Sequence, residues 1–369
     1  MLIASGTLWA PRPVIQSYSA YNPPLARINA DHLSGAGAPD NIFFSISPID
    51  NHLPALEDGT SWPALLTSYT IAGYANDRVL LKKGRETSSI FRGREIFDDT
   101  ILAGQAVPLS QNSGPIWAEV EVRPSFIGKI ANFLFKSRAL DISMQFKDGR
   151  KASYKYVAGM GKAGFLVSPF VQDTQNFAMF ASTRRDSYFS SGSLPTAFSI
   201  SGGAGADLWW EKGIKVRLWT ANIPTQPQVD AMLLKPLRRD LPVSLDASAS
   251  SGECSIDMVN TRLATADVTH VSGTLAVNGW AIASRAQGLA PDDIFISLTG
   301  ADHSVYYGQA DKHPRNDVNN AFSLSSMGDI GFHTLVDISE LKGSYKLGIA
   351  QVSKGKLVDC STRLPLNID

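Results

Sequence analysis

The sequence predicts a mainly β protein: a small N-terminal α/β layer, then a jelly-roll-like β-sandwich, then a C-terminal immunoglobulin-like β-sandwich. From about residue 100 onward, short extended runs rich in β-branched and aromatic residues follow one another between turn residues. The small, polar stretch SLDASASSG divides these runs into two series, as a linker would. We therefore expect an α/β layer at 1–99, a first sandwich at 100–243, a linker at 244–253 and a second sandwich at 254–369.

The N-terminal layer alternates helical and extended patterns. The two prolines before LARINADHL predict a helix with proline in its first turn. The segment NIFFSIS, residues 41–47, predicts a buried strand, and RVLLKK predicts another. Between them, TSWPALLTSY predicts a short helix with Thr60 or Ser61 as its N-cap.

The first ten residues, MLIASGTLWA, are apolar but lack the charged start of a signal peptide. They are also shorter than the roughly 20 residues that span a bilayer. One interpretation makes them the last turns of a membrane helix whose upstream part is absent from this chain, with Trp9 at the interface. The other is a short apolar strand or a frayed start. Membrane contact is therefore expected only through such an upstream segment.

The first sandwich is predicted from eight extended runs and one helix. KDGR, residues 147–150, contains the Asp-Gly pair of a hairpin turn. SFIGKIANFLF, residues 125–135, predicts a helix that packs on the sandwich, with Ser125 as its cap and an apolar stripe at positions 126, 127, 130, 133 and 134. The predicted strands are TILAGQAVPL, IWAEVEVR, LDISMQF, ASYKYV, FLVSPFV, FAMFAS, TAFSIS and IKVRLWTANI. Short strands with one packed helix favour a jelly roll.

The second sandwich follows a predicted connecting helix, QPQVDAMLLK, and the linker. Its strands are CSIDMV, GTLAVNGWAIAS, DIFISL, SVYYGQAD, FHTLVDI, SYKLGIAQV and KLVDCS, the last two joined by a turn at Lys354 and Gly355. Seven strands with regularly spaced turn signals favour an immunoglobulin-like sandwich.

The charge balance argues against a nucleic-acid partner. Lys+Arg and Asp+Glu both number 34, so the chain lacks the basic excess that neutralises phosphates. With 44% apolar and 18% charged residues, the chain is globular rather than disordered.

No cofactor or metal site is expected from the motifs. AGMGKAGF satisfies the dinucleotide pattern G-x-G-x-x-G at Gly159, Gly161 and Gly164, but a strand is predicted after it where the motif needs a helix. A glycine-rich connection between strands is the better interpretation. The sequence contains neither the G-x-S-x-G of serine hydrolases nor the histidine spacing of a zinc-binding helix.

The segment SPIDNHLPALEDGTSW follows a predicted strand, so it places polar groups at a strand end where α/β layers gather ligands. We take Asp50, His52 and Asp58 as candidate ligand-binding residues. Paired carboxylates here could also act as acid and base on a glycosidic bond. The competing interpretation is structural, because Asp50, Asn51 and Asp58 are turn-forming residues.

Tryptophans of the first sandwich provide further candidates, because sugars stack on flat aromatic rings. Trp209 and Trp210 are assigned to ligand binding on this ground, although tryptophans in β proteins are often packing residues.

The segment YYGQADKHPRNDVNNAF concentrates charge without a catalytic signature. Arg315 and Asp317 lie just after a strand, where an Arg and a nearby Asp can tie a loop by charge-assisted hydrogen bonds. We expect a structural clasp and assign no catalytic residue anywhere in the chain.

The two cysteines, Cys254 and Cys360, lie near the two ends of the second sandwich. They form either a disulfide, which would indicate an oxidising compartment, or two buried thiols.

Several phrases together resemble a known family: YNPPLARIN, APDNIFFSISPIDNHLPALEDGTSWPALLTSY, GKIANFLF and KAGFLVSPFV. They resemble the extracytoplasmic C-terminal region of large, uncharacterised bacterial membrane proteins related to cell-envelope glycosyltransferases. The second sandwich, with CSID, VNGWA, RNDV and a late Cys, is similar to a module beside enzymes of surface-polysaccharide assembly. The resemblance covers most of residues 17–361.

The resemblance implies a bacterial extracytoplasmic location, in the periplasm or cell envelope, and a glycan or a membrane-bound glycosyltransferase as partner. It carries no catalytic residues. The first hypothesis is therefore a non-catalytic module that binds or organises envelope polysaccharide. The alternatives are a carbohydrate-active enzyme using the Asp50 to Asp58 loop, and a protein-interaction scaffold for a membrane glycosyltransferase.

Overall fold

The computed structural model describes most of the chain. The described residues are 8–84, 91–109, 114–134, 138–147, 149–190, 194–241, 250–260, 262–322 and 327–369. The predicted linker at 244–253 therefore lies largely outside them, as does most of the apolar start. The chain divides into two compact units, one comprising 1–185 and 193–229 and the other 186–192 and 230–369.

The prediction of a mainly β protein is confirmed. Strands account for 46% of the structure and helices for 20%, and the strands form several sheets consistent with a β-sandwich-rich fold. The jelly-roll and immunoglobulin-like topologies stay predictions. The first unit contains the predicted α/β layer and most of the predicted first sandwich at 100–243, but residues 186–192 and 230–243 of that range belong to the second unit.

The first unit begins with two helices and a three-stranded sheet of order β1-β3-β2. These elements are α1 (Pro23–Ser34), β1 (Asn41–Phe44), α2 (Trp62–Thr67), β2 (Tyr69–Ala75) and β3 (Arg78–Lys83). The prediction of a buried strand at 41–47 is wrong: β1 is an edge strand that pairs only with β3, and Phe43 is 62% exposed. The side chains of β1 alternate between exposed and half-buried, so one of its faces is in solvent.

Two four-stranded sheets complete the first unit, with orders β5-β10-β7-β8 and β4-β11-β6-β9. They share one core, built from inward-facing residues such as Val120, Ile142, Ile200 and Val216. The strands are β4 (Arg92–Leu102), β5 (Val107–Pro108), β6 (Ile116–Pro124), β7 (Leu140–Phe146), β8 (Lys151–Tyr156), β9 (Phe165–Ser168), β10 (Pro195–Gly202) and β11 (Trp210–Ala221).

Short helices lie between these strands or follow the last of them, and most of α6 and α8 belongs to the second unit. The helices are α3 (Phe126–Leu134), α4 (Ala158–Ala163), α5 (Thr174–Met179), α6 (Arg185–Ser190), α7 (Ala206–Trp209) and α8 (Gln228–Leu233). The predicted strand FAMFAS is wrong, because its first residues belong to α5. Asp173 caps that helix, its carboxylate accepting the amide of Asn176 at 2.7 Å. A short apolar run does not distinguish a buried strand from a buried helix, and the cap decides here.

The second unit contains a seven-stranded and a five-stranded sheet around a shared core that includes Leu275, Ile296 and Phe332. Its elements are β12 (Leu237–Arg238), β13 (Ser250–Ser251), β14 (Glu253–Val259), β15 (Arg262–Leu263), β16 (Thr269–Val271), β17 (Thr274–Ile282), β18 (Asp293–Gly300), β19 (Val305–Gln309), β20 (Asp311–His313), α9 (Asn316–Ala321), β21 (Gly331–Asp337), β22 (Gly343–Ser353) and β23 (Lys356–Ile368).

The structure pairs Cys254 with Cys360 as a disulfide, with their Cα atoms 6.0 Å apart. Cys254 lies on β14 in the five-stranded sheet and Cys360 on β23 in the seven-stranded sheet. Cys360 is 2% exposed and belongs to the core of the second unit. The bond thus joins the two sheets of that unit.

Candidate functional site

The first unit contains a cavity of about 790 Å³ between the N-terminal segment, α1, β1 and the loop that leads into α2. Its lining is mixed. Apolar and aromatic side chains such as Trp9, Phe43 and Trp62 form part of the wall, and polar groups from four separate segments form the rest. The polar lining residues used below are Arg12, Asn29, His32, Glu57, Asp58 and Ser61.

Helix α1 and the N-terminal segment form one side of the cavity. Asn22 caps α1 by accepting the amide of Leu25 at 3.0 Å. Asn29, fully buried on α1, binds both backbone groups of Val14: its Oδ1 accepts the amide at 2.8 Å and its Nδ2 donates to the carbonyl at 3.2 Å. These bonds hold residues 8–15 beside the helix, although no regular element forms there.

The loop before α2 forms the opposite side. Buried Glu57 accepts hydrogen bonds from the Ser17 hydroxyl at 3.0 Å and the Ile49 amide at 3.1 Å, and its Oε1 lies 3.0 Å from the His52 Nδ1. Both of its oxygens are therefore engaged. Gly59 lies two positions after Glu57 and packs tightly against Gly164, where a Cβ at position 59 would lie 2.7 Å from the carbonyl oxygen of Gly164. The loop thus requires glycine at this position.

Asp58 is the central residue of the site. It has a left-handed backbone (φ 52°) and is only 3% exposed. One carboxylate oxygen, Oδ2, accepts a hydrogen bond from the Arg12 guanidinium at 3.1 Å. Burial raises the pKa of this carboxyl above its ordinary value, although Arg12, Asn29 and Ser61 act in the opposite direction.

Three residues that line the cavity each have a buried polar atom with no hydrogen-bond partner among the residues that the structure describes. These atoms are the Nε2 of His32, the Oδ1 of Asp58 and the Oγ of Ser61. The Ser61 hydroxyl lies near enough to Asp58 to favour the ionised carboxylate. However, the geometry between Ser61 Oγ and Asp58 Oδ1 is not that of a hydrogen bond. A buried polar atom without a partner costs about 1–3 kcal/mol. Three such atoms in lining residues make this part of the cavity the candidate functional site.

The loop residues predicted as ligand-binding separate into two groups. Asp58 lines the cavity, whereas neither Asp50 nor His52 is part of its lining. Asp50 is exposed at a turn with φ 51°. His52 is half-buried against Glu57 and forms a bridge with Lys155 on β8. His52 thus helps to hold the loop, Asp50 forms an exposed turn, and neither contributes to the cavity wall.

The tryptophans predicted as ligand-binding lie elsewhere in the first unit. Trp210 begins β11, packs against the sandwich core and donates its indole N–H to the carbonyl of Arg138 at 3.1 Å. The backbone of Trp209 approaches Gly128 of α3 so closely that a Cβ there would lie 2.0 Å from its carbonyl oxygen. Both residues are half-buried and neither lines the cavity.

Arg315 and Asp317 lie in the second unit at the start of α9. The guanidinium binds Asp317 through two bonds, Nε to Oδ1 at 2.8 Å and Nη2 to Oδ2 at 2.7 Å. Its third nitrogen, Nη1, donates to Asp257 of β14 at 2.7 Å. Hydrogen bonding to Arg315 lowers the pKa of Asp317 to about 2. The arrangement is a salt-bridge clasp between β14 and α9.

Within the described ranges, no group of three His, Cys, Asp or Glu side chains is placed to hold a metal ion. No described helix is long and apolar enough to cross a membrane. A comparison with models of known protein families finds no match, and a comparison with curated proteins finds none either. The cavity is therefore interpreted from its chemistry alone.

Sequence reasoning missed Arg12, Asn29, His32 and Ser61 as site residues. The helical spacing of Asn29 and His32, three positions apart on α1, places them on one helix face, which is a signal available from the sequence. Their approach to Asp58 depends on how α1 packs against the loop. Spacing along the chain does not predict that packing.

Proposed function

We propose that the cavity of the first unit binds a saccharide of the bacterial cell envelope, and that the protein acts as a non-catalytic binding module. The observation that carries the proposal is the set of unpartnered atoms at His32, Asp58 and Ser61. A carboxylate oxygen accepts hydrogen bonds, a hydroxyl both donates and accepts, and an imidazole nitrogen does either. Sugar hydroxyls can pair with all three.

The aromatic lining supports a sugar further. Trp9 is 53% exposed and Phe43 is 62% exposed, so both rings offer free faces at the cavity. A pyranose ring presents C–H groups that pack on such faces while its hydroxyls reach polar side chains. Trp62 lies deeper, packed edge-to-face against Phe177, and forms a rigid wall.

The charges of the cavity favour a neutral ligand over an anionic one. Arg12 is paired with Asp58, and Glu57 adds a negative charge. A phosphate or nucleotide would need a surplus of cationic groups or backbone amides, as sites for such ligands provide. The described lining has no such surplus, so an uncharged saccharide is the better fit.

An enzymatic role is the second candidate, because the raised pKa of Asp58 suits a general acid. A glycosidase needs a second carboxylate as nucleophile or base. Glu57, the other buried acid of the cavity, has both oxygens engaged by Ser17, Ile49 and His52. Asp50 points to solvent outside the cavity. Binding without turnover is therefore the stronger proposal.

The disulfide supports an extracytoplasmic location, because such bonds persist in oxidising compartments. The resemblance to C-terminal regions of envelope glycosyltransferase relatives is part of the same proposal. A membrane glycosyltransferase as protein partner is the remaining alternative, and it predicts no sugar affinity.

A glycan array tests the proposal. The wild-type protein is compared with Asp58→Asn and with Asp50→Asn, which makes the same chemical change on the same loop outside the cavity. We expect the wild type and Asp50→Asn to bind one saccharide class selectively. Asp58→Asn should bind it at least about tenfold more weakly, because a charged acceptor is replaced by a neutral amide.

Absence of wild-type binding to any envelope saccharide would overturn the proposal. Hydrolysis of a bound glycan by the wild type, lost in Asp58→Asn with binding retained, would favour the enzymatic alternative.

A further inference from the structure

Helix α3 presents apolar side chains to solvent. Phe126 is 78% exposed, Ile127 57% and Ile130 55%. The helical spacing of these residues predicts a face that packs on the sandwich, and the structure places them outward instead. Leu208 of the adjacent helix α7 is 57% exposed as well. We call these four residues the α3 patch.

The outward orientation is imposed by how α3 is attached. The buried Gly128 faces the end of α7, where a Cβ would lie 2.0 Å from the carbonyl oxygen of Trp209. Ser125 donates its hydroxyl to the carbonyl of Leu208 at 2.5 Å and accepts the amide of Gly128 at 2.9 Å. No larger residue fits at Gly128, so the opposite face, with Phe126, Ile127 and Ile130, remains outside.

The charge around the patch indicates its partner. The sequence from 123 to 138, RPSFIGKIANFLFKSR, contains four basic residues and no acidic one. Lys129 and Arg138 are exposed. The nearby Glu121 accepts hydrogen bonds from both Arg123 and Lys162, so its charge is compensated. Asp207 and Glu211, on α7 and β11, reduce the local positive charge without cancelling it.

We propose that the α3 patch docks the protein on the surface of an anionic phospholipid bilayer. Short helices with an exposed apolar face and flanking Lys or Arg lie in the plane of the headgroups, where apolar groups enter the acyl boundary and cations meet lipid phosphates. With nine residues, α3 extends about 14 Å, far short of the hydrocarbon core, and so lies on the membrane. This proposal is independent of the saccharide site.

Vesicle co-sedimentation tests the docking. The protein is mixed with vesicles of phosphatidylcholine alone or with phosphatidylglycerol added. We expect binding to the anionic vesicles that falls as the salt concentration rises. Ile127→Ser/Ile130→Ser should bind at least about tenfold more weakly, because it lacks two exposed apolar side chains that the bilayer would bury. Lys129→Glu should also weaken binding. The matched control, Leu102→Ser/Leu263→Ser, removes two equally exposed apolar residues elsewhere and should bind as the wild type does.

Three results would overturn the proposal. The first is that the wild type binds both kinds of vesicle equally, or binds neither of them. A second is unchanged binding by Ile127→Ser/Ile130→Ser with a circular dichroism spectrum like that of the wild type. The third is a concentration-dependent dimer of the wild type, detected by light scattering without lipid and lost in the same variant, which would assign the patch to a second copy of the chain.

Discussion

At the scale of single residues, the first unit combines engaged and unengaged polar groups in one place. Glu57 uses both carboxylate oxygens to tie Ser17, Ile49 and His52 together, whereas its neighbour Asp58 uses one oxygen for Arg12 and leaves the other unpaired. The first arrangement stabilises a loop. The second costs stability, because a buried oxygen without a partner has lost its hydrogen bonds to water.

Ser61→Ala separates stability from binding. The hydroxyl of Ser61 has no hydrogen-bond partner among the described residues, so its removal should leave the free energy of unfolding unchanged or slightly higher. The affinity for a bound saccharide should fall about threefold to tenfold, the effect of one neutral hydrogen bond. Urea unfolding and calorimetric titration measure the two quantities. A loss of stability with unchanged affinity would assign the hydroxyl a structural role.

Asp173→Asn tests a buried carboxyl at the cap of α5. Burial raises the pKa of Asp173 from 3.8 to about 6, and nearby Asp77 adds to the effect. The folded chain therefore holds this proton more tightly than the unfolded chain. The resulting contribution to stability is present below about pH 4 and is lost as the pH rises through about 6.

The stability of Asp173→Asn relative to the wild type should accordingly increase between pH 4 and pH 7. Urea unfolding across this range measures it, with exposed Asp31→Asn as the control. A difference that is constant with pH would contradict the raised pKa.

At the scale of elements, the sequence predicted most strands of both units, because alternating β-branched and aromatic residues mark them clearly. The errors occurred where a local pattern has two solutions. FAMFAS is apolar enough for a buried strand, yet the Asp173 cap makes it helical. NIFF has the composition of a buried strand but lies at a sheet edge. The apolar stripe of α3 was predicted from the helical spacing of its residues. The stripe faces outward because of the close contact at Gly128.

The salt-bridge clasp between β14 and α9 leads to a prediction about how two elements are held together. Hydrogen bonding to Arg315 lowers the pKa of Asp317 from 3.8 to about 2, so its contribution to stability is present above about pH 4 and is lost as the pH falls through about 2. Asp317→Asn should therefore be less stable than the wild type at pH 5 and equal to it near pH 2. Chemical unfolding against pH measures this, and exposed Asp240→Asn should show no such convergence.

At the scale of the whole molecule, composition and strand count were sufficient for the mainly β architecture. The cavity was not predictable in the same way. Arg12, Asn29, Asp58 and Ser61 come from segments separated along the chain, and only tertiary packing brings them to one wall. Of the loop residues predicted from sequence, Asp58 reaches that wall because the chain turns inward after Glu57.

The disulfide yields a prediction for the second unit. Cys254 and Cys360 are separated by 106 positions, and closing a loop of this length stabilises by about 4.7 kcal/mol in the chain-entropy model. Cys254→Ser/Cys360→Ser should therefore lose amide protection in β14, β17 and β23, measured by hydrogen exchange. Protection in β6 and β11 of the first unit serves as the internal control. Equal loss in both units, or in neither, would contradict this account.

The most direct test of the central claim is a crystal structure of the protein with the saccharide that the glycan array selects. We expect a sugar in the cavity, with a hydroxyl about 2.7–3.0 Å from the Oδ1 of Asp58 and a ring face against Trp9 or Phe43. A sugar bound at Trp209 and Trp210, or a cavity in which Asp58 Oδ1 stays without a partner while the sugar binds elsewhere, would contradict it.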